Sequence, residues 1–379
     1  MKFSVDRDVL ADAVAWAARS LPIRPSVPVL VGLLLDADES GLVLSTFDYE
    51  TSATATVSAD VSEPGRALVS GRLLADICRS LPNKPVDLQL EGARVTLTCG
   101  AARFSLQTMP VEDYPTLPAM PSATGTVDSE TFAHAVAQAV TAAGRDDMLP
   151  VLTGVRIEID GSTISLLATD RFRLSQRELD WNPNSPDESA AALVPAKVLG
   201  DTAKSLTAGP EVTIALSHGG VGEGIIGFEG HADGGLRRTT TRLLDGEFPK
   251  VRSLFPSEHQ TTALVDKAAL VESVKRVSLV AERNTAVQLA FSDGVLTLDA
   301  GSGDEAQASE SVEATIDGED ITTGFNPQFL LDGLGAIDEP VVKMAFTQAS
   351  KPVVISGAVQ EGGGDSGFRY LLMPRRLLS

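Results

Sequence analysis

The densest chemistry in the chain lies in six residues, Asp170-Arg171-Phe172-Arg173-Leu174-Ser175. Guanidinium groups can hold carboxylates and carbonyls, and an aromatic ring and a leucine beside them offer an apolar seat. The plainer alternative is a strand edge with solvated arginines. Four further cations come as pairs. Arg72 and Arg79 are seven residues apart, as are Lys197 and Lys204, so two helical turns put each pair on one face. Such faces can grip phosphates without reading base sequence, or they are ordinary solvated helix surface. Arg24 and Arg145 follow earlier helical patterns, and Lys275, Arg276 and Arg283 lie on or just after a later one.

Other chemistries find less support. Residues 222–227, GEGIIG, match GxGxxG, but FEGHADGGLRRTTT follows and cannot open the helix that a dinucleotide site requires. The segment reads as a hairpin. No P-loop, GxSxG or HExxH occurs. His134, His218, His231 and His259 are scattered, and Cys78 and Cys99 make no CxxC. Neither a metal nor a cofactor is expected, and the cysteines read as two buried thiols.

The elements that must position these cations repeat. Residues 28–53 slide onto 150–175 with an offset of 122 and no gap, putting Pro28 on Pro150, Gly32 on Gly154 and Asp48 on Asp170. Upstream, VDRDVLADAVAWAARSL, VDSETFAHAVAQAVTAA and VDKAALVESVKRVSLVA each start with Val-Asp and carry apolar residues at helix spacing. Asp at the head is a helix-capping residue. A second helix recurs at 69–81, 194–206 and 325–337; its third copy keeps Asp332 but has Gln328 and Gly335 in place of bases. Short alternating runs such as 86–90, 94–99, 103–108, 155–159 and 341–346 read as antiparallel strands. Pro-rich segments at 109–125 and 243–259 read as linkers.

A chain of 379 residues suits two or three domains. No apolar run approaches the roughly 18 residues of a membrane span, and the charged N-terminus does not read as a signal peptide. The expected location is the cytoplasm. A net charge of −20 argues against wrapping a polyanion by bulk attraction, so any nucleic-acid role needs local placement of the 31 bases. Three such units could form an arc, and two arcs a ring. Twelve helices about 8–10 Å apart would enclose an opening of roughly 25 Å, enough for duplex DNA. The rival readings are an open three-domain scaffold and an enzyme with an unrecognised pocket.

Six stretches together resemble the bacterial DNA sliding clamp family, the beta subunit of DNA polymerase III. They are MKFSVDRDVL, RPSVPVL (24–30), LATDRFRLS (167–175), LLDGEFPKVRSLFP (243–256), GFNPQFLLDGL (324–334) and YLLMPRRL (370–377). The resemblance spans essentially the whole chain. It implies an α+β fold of three tandem helix-strands-helix-strands units, taken as 1–122, 123–257 and 258–379. Antiparallel sheets would lie outside and helices inside a head-to-tail homodimeric ring. It implies a processivity factor rather than an enzyme. Its partners would be duplex DNA, a second copy, the polymerase III catalytic subunit, a clamp loader, and other polymerases and repair proteins bearing short linear peptides.

The resemblance carries residues with it. The peptide pocket would comprise Leu152, Thr169, Arg171, Phe172, Arg173, Leu174, Pro249, Leu254, Met373, Pro374, Arg375 and Arg376. DNA would meet Arg24, Arg72, Arg79, Lys197 and Lys204. The dimer interface would pair Ile77, Phe104 and Leu106 with Leu279, Asp304 and Glu305. The chain departs from the commonest pattern at Arg171-Phe172, where Gly-His is familiar, and at Ser253, where an arginine often stands.

Overall fold

The computed structural model describes residues 1–217, 224–232, 234–281, 285–301, 306–358 and 367–375. Its helices start where the capping residues stand. Asp6 accepts the N–H groups of Asp8 and Val9 at 2.8 and 3.2 Å and opens α1, Arg7–Ala18. Asp128 accepts the Thr131 N–H at 2.8 Å at the head of α3, Ser129–Val140. Asp266 does the same for Ala269 in α5, Lys267–Val277. Each bond satisfies a donor that the first helical turn leaves open. The second helices are α2, Gly71–Ser80, α4, Ala196–Ser205, and α6, Pro327–Gly335, where the spacing puts them.

By contact the chain divides into two units, and the division falls inside the middle repeat. The first comprises Met1–Ala133, Trp181–Glu188 and Val198–Asp245; the second comprises His134–Asp180, Ser189–Lys197 and Gly246–Ser379.

In the first unit, a five-stranded antiparallel sheet runs in the order Asp60–Glu63, Lys2–Val5, Val86–Glu91, Arg94–Cys99, Ala102–Gln107. α1 and α2 bury Leu10, Val14, Trp16, Leu74 and Cys78 in one core with Phe3, Leu35, Leu44, Leu88 and Leu97. A nine-stranded sheet crosses from the first repeat to the middle one. Its join is Thr51–Val57 against Gly235–Arg242, antiparallel, with a buried Ser52–Thr240 hydroxyl pair at 2.6 Å. Gly235–Arg242 also closes a hairpin with Ile225–Ala232, so the GEGIIG segment runs into a strand rather than a helix.

In the second unit, one twelve-stranded sheet contains the analogous join, Arg173–Asp180 against Phe368–Leu372. The strand Ala308–Asp317 serves two neighbours in succession. Its residues 308–313 pair with Val295–Ala300, and 314–317 pair with Thr261–Asp266. The core collects Leu270, Val274, Leu289, Leu298, Leu330, Leu334 and Tyr370.

The Pro-rich linkers lie on these sheets. Met109 donates its N–H to the Leu68 carbonyl at 2.8 Å, and the buried Tyr114 hydroxyl accepts the Phe47 N–H at 2.8 Å. In the second unit Arg252 bridges Glu158 and Glu178, with its Nη2 2.8 Å from the Glu158 carboxylate. Arg369 packs over the Phe255 ring at 4.7 Å.

Candidate functional site

The Asp170–Arg173 turn borders a cleft of about 530 Å³ in the second unit. One wall is Arg171, Phe172 and Arg173 from the turn, with Leu152 from the short helix Pro150–Thr153. A second is the loop after α3, with Gly144, Arg145, Asp146 and Leu149. The third is α6, through Gln328, Phe329 and Asp332.

The turn is built by Asp170. Its Oδ1 accepts the N–H groups of Phe172 and Arg173 at 3.0 and 3.1 Å, and Oδ2 pairs with Arg173 Nε at 2.9 Å. Thr169 Oγ1 donates to the Arg173 carbonyl at 2.7 Å and accepts the Arg171 N–H at 3.2 Å. This geometry leaves Arg171 left-handed, at φ 80°. Phe172 is 54 % exposed and stacks on Phe329 at 6.3 Å.

Arg173 lines the cleft but is largely engaged within the protein, through Nε and Nη1. It is only 5 % exposed, its Nη1 lies 2.6 Å from Asp332 Oδ2, and its guanidinium sits 4.2 Å from the centroid of the Phe329 ring. Burial opposes its charge, but Tyr370, Asp332 and Asp170 outweigh that and raise its pKa. Its role is to lock the turn to α6. Leu174 and Thr169 are likewise buried.

The remaining pocket residues are not in the cleft's lining. Met373 donates its N–H to the Phe172 carbonyl at 2.9 Å, which puts the C-terminal segment beside the turn. Arg375 donates its N–H to the Gly324 carbonyl at 2.8 Å, and Pro374 is half-buried between them. Leu254 and Met373 are exposed. Pro249 lines a separate depression of about 430 Å³ with Arg156, Glu158 and Arg252. Arg376 lies outside the described residues. The sequence marks Asp170 as part of the charged stretch and Arg145 as a cation but assigns neither to the pocket, and it gives no signal for Phe329 or for Gly144, Asp146 and Leu149. Asp332 had been noticed only as a repeated position.

The first repeat contains the same turn without the cleft residues. Asp48 Oδ1 accepts the N–H groups of Glu50 and Thr51 at 3.0 and 2.7 Å, and Tyr49 takes φ 76°. Phe47 stands where the second copy has Thr169. Its ring packs with Leu30, Leu34, Leu68 and Tyr114, so Leu30 is buried, whereas its counterpart Leu152 stays half-exposed.

The cations expected at DNA are all exposed: Arg24, Arg72, Arg79, Lys197 and Lys204. Arg79 pairs with Asp76 at 3.3 Å, and Arg72 donates to the Pro22 carbonyl at 3.3 Å. Arg276 is engaged by Glu310, and Lys275 by Glu272 at 2.8 Å; Arg283 lies outside the described residues. Of the interface residues, Ile77 and Leu106 already belong to the first unit's core, and Leu106 is 3 % exposed. Phe104 is partly buried against that core, and Leu279 is 84 % exposed. Asp304 and Glu305 lie outside the described residues.

Consecutive copies of one helix-and-sheet unit, joined through their sheet edges, define the sliding-clamp architecture. Models of the DNA polymerase III beta subunit match three successive stretches: its N-terminal domain at 1–118, central domain at 126–250 and C-terminal domain at 252–376. The chain belongs to the DNA polymerase III beta subunit family. It is 59 % identical over 378 residues to the beta sliding clamp of Streptomyces coelicolor, covering 100 % of both chains. It is 54 % identical to that of Micrococcus luteus, over 84 % of this chain and 100 % of the other. A Pseudomonas aeruginosa sliding clamp bound to griselimycin superposes with TM-score 0.89 at 27 % identity, covering 100 % of each.

Proposed function

We propose that the chain is a processivity factor. Two copies close head to tail into a ring around duplex DNA. The ring slides on phosphate contacts and tethers the polymerase III catalytic subunit through short peptides docked at the Asp170–Arg173 cleft. The clamp loader and other polymerases and repair proteins would be further partners. The work is mechanical rather than catalytic, and its place is the cytoplasm; no described helix is long and apolar enough to cross a membrane. The three repeats, divided at 122/123 and 257/258, make the ring's six segments when taken twice.

Ring closure is supported by a pairing rule that the chain uses twice. In one join Ala53 stands opposite Thr239; in the other Ser175 stands opposite Tyr370. Ala53, Ser175 and Ala308 are equivalent, facing Thr46, Ala168 and Ala300 in their own hairpins. Thr239, Tyr370 and Phe104 are equivalent too, facing Phe228, Ile355 and Leu97. The two joins use the first member of copies one and two and the second member of copies two and three. Left over are the outer edges of Ala102–Gln107 and of residues 308–313, with no strand partner among the described residues. Unpaired edges invite pairing with another chain. Applied in trans, the rule sets Phe104 opposite Ala308 and Arg103 opposite Ser309, and a contact between unlike ends closes into a ring when its rotation allows.

The test is retention. Loaded onto nicked circular DNA, the protein should co-migrate with it through gel filtration as a dimer, and linearising the DNA should release it. Equal loss from circles and linear DNA, or a monomer by light scattering, would refute the ring.

A further inference from the structure

Two walls of the cleft, the loop after α3 and α6, are tied together away from its mouth. Gln138 on α3 is buried and donates its Nε2–H to the Ala336 carbonyl at the end of α6, at 2.7 Å. One turn earlier on the same face, His134 Nε2 lies 2.6 Å from Asp338 Oδ2. Beyond this tie α3 runs on into Gly144, Arg145, Asp146 and Leu149, while α6 begins with Gln328 and Phe329. The elements bonded at one end therefore part at the other to make the cleft.

The join between the first two repeats uses the same positions with a fixed charge. At the offset of 122, Asp12 and Trp16 stand for His134 and Gln138, and Ser205 stands for Ala336 in the aligned second helices. There Arg237 pairs with Asp12, lies 5.2 Å from the centroid of the Trp16 ring and donates to the Ser205 carbonyl at 3.2 Å. Arginine keeps its charge, whereas histidine gains or loses its own between about pH 5 and 8. Among the described residues, the charges placed to act on His134 are Asp338, Glu130 one turn back on α3, and Lys267. The Lys267 Nζ donates to the Ile337 and Asp338 carbonyls at 2.6 and 3.1 Å. Protonated, His134 is attracted to Asp338; neutral, it keeps at most the hydrogen bond. The ion pair is present in acid and is lost as pH rises through the histidine range.

We propose that His134 is a positioning residue for the cleft. It is a proton-operated latch that holds the α3 loop to α6 in acid and lets the two walls part as it deprotonates. The latch relies on the docking role proposed above only for what its movement regulates. The side chains of His134 and Asp338 are 44 % and 62 % exposed, so the pair is weak enough for one proton to reverse.

Spin labels on Asp147→Cys and Gln328→Cys read the separation of the two walls in the full chain by pulsed electron paramagnetic resonance; Cys78 and Cys99 are buried and escape labelling. From about pH 8 to about pH 5.5, the ratio of short to long separations should rise about threefold. In His134→Gln it should stay at the alkaline value throughout. In His134→Lys, charged at both ends of the range, it should stay at the acidic value. No response in the parent protein, or a response that survives in His134→Gln, would overturn the proposal. So would a His134→Lys variant that behaves like His134→Gln. No peptide enters the measurement, so the latch and the docking reading fail separately.

Discussion

A single carboxylate organises each of the two equivalent turns, and one neighbouring residue decides what the turn is for. Asp48 and Asp170 make the same pair of backbone hydrogen bonds. Beside the first, Phe47 fills the space; beside the second, Thr169 leaves it open and spends its hydroxyl on the backbone. D170A and D48A should therefore each lose about 1–3 kcal/mol in chemical denaturation. Only D170A should also weaken peptide binding; equal weakening in D48A would show a global effect. Glu310 offers a second check. Hydrogen bonds from Arg276 and Ser273 pull its pKa from 4.5 to about 2. A depressed folded value means that the contribution is present above the ordinary range and is lost as pH falls through about 2. By NMR, Glu310 should stay ionised at pH 3.5, and R276A should return it toward 4.5. A normal titration in the parent protein would remove that ion pair.

At the scale of elements, strand edges carry the argument. Inside the chain each join places a strand that begins at the Asp turn against the last strand of the following repeat. The register inferred for the leftover edges is specific to one residue, because a slip by one turns every side chain to the other face. Arg103→Cys with Ser309→Cys should give a covalent dimer under mild oxidation, and Arg103→Cys with Ser311→Cys should not. Cys78 should not compete: it is buried, and burial pushes its thiol up to about 12. Efficient crosslinking by the second pair alone would mean a different register. Phe104→Arg should yield monomers, since it puts a charge on the strand that the partner must approach.

For the whole molecule the question is how an acidic protein holds an acidic polymer. The five expected DNA contacts are exposed, and Arg24, Lys197 and Lys204 have no ion-pair partner among the described residues. Replacing Arg24, Arg72 and Lys197 together with Glu should shorten retention on circular DNA several-fold and flatten its salt dependence, while light scattering still reports a dimer. Unchanged retention would move the DNA contacts elsewhere. The cleft and the leftover strand edges involve none of these three residues, so peptide affinity should not change.

The repeats, their six helices and many of the strands were legible in the sequence, whereas short strands such as Lys2–Val5 and Asp60–Glu63 were not. Helix caps and alternation of period two or 3.6 are local properties, so Asp6, Asp128 and Asp266 announce their helices wherever the chain goes next. Exposure of the paired cations followed from the same periodicity. Other features required partners distant in sequence. That Arg173 locks its turn to α6 depends on Asp332, 159 residues away. The linkers looked like spacers until Tyr114 and Arg252 were seen bonded to the sheets. Which strand edges are consumed and which remain depends on ladders such as Arg173 with Leu372. Only tertiary structure decides these, because a side chain's chemistry is settled by the groups that reach it first, and those arrive from anywhere along the chain.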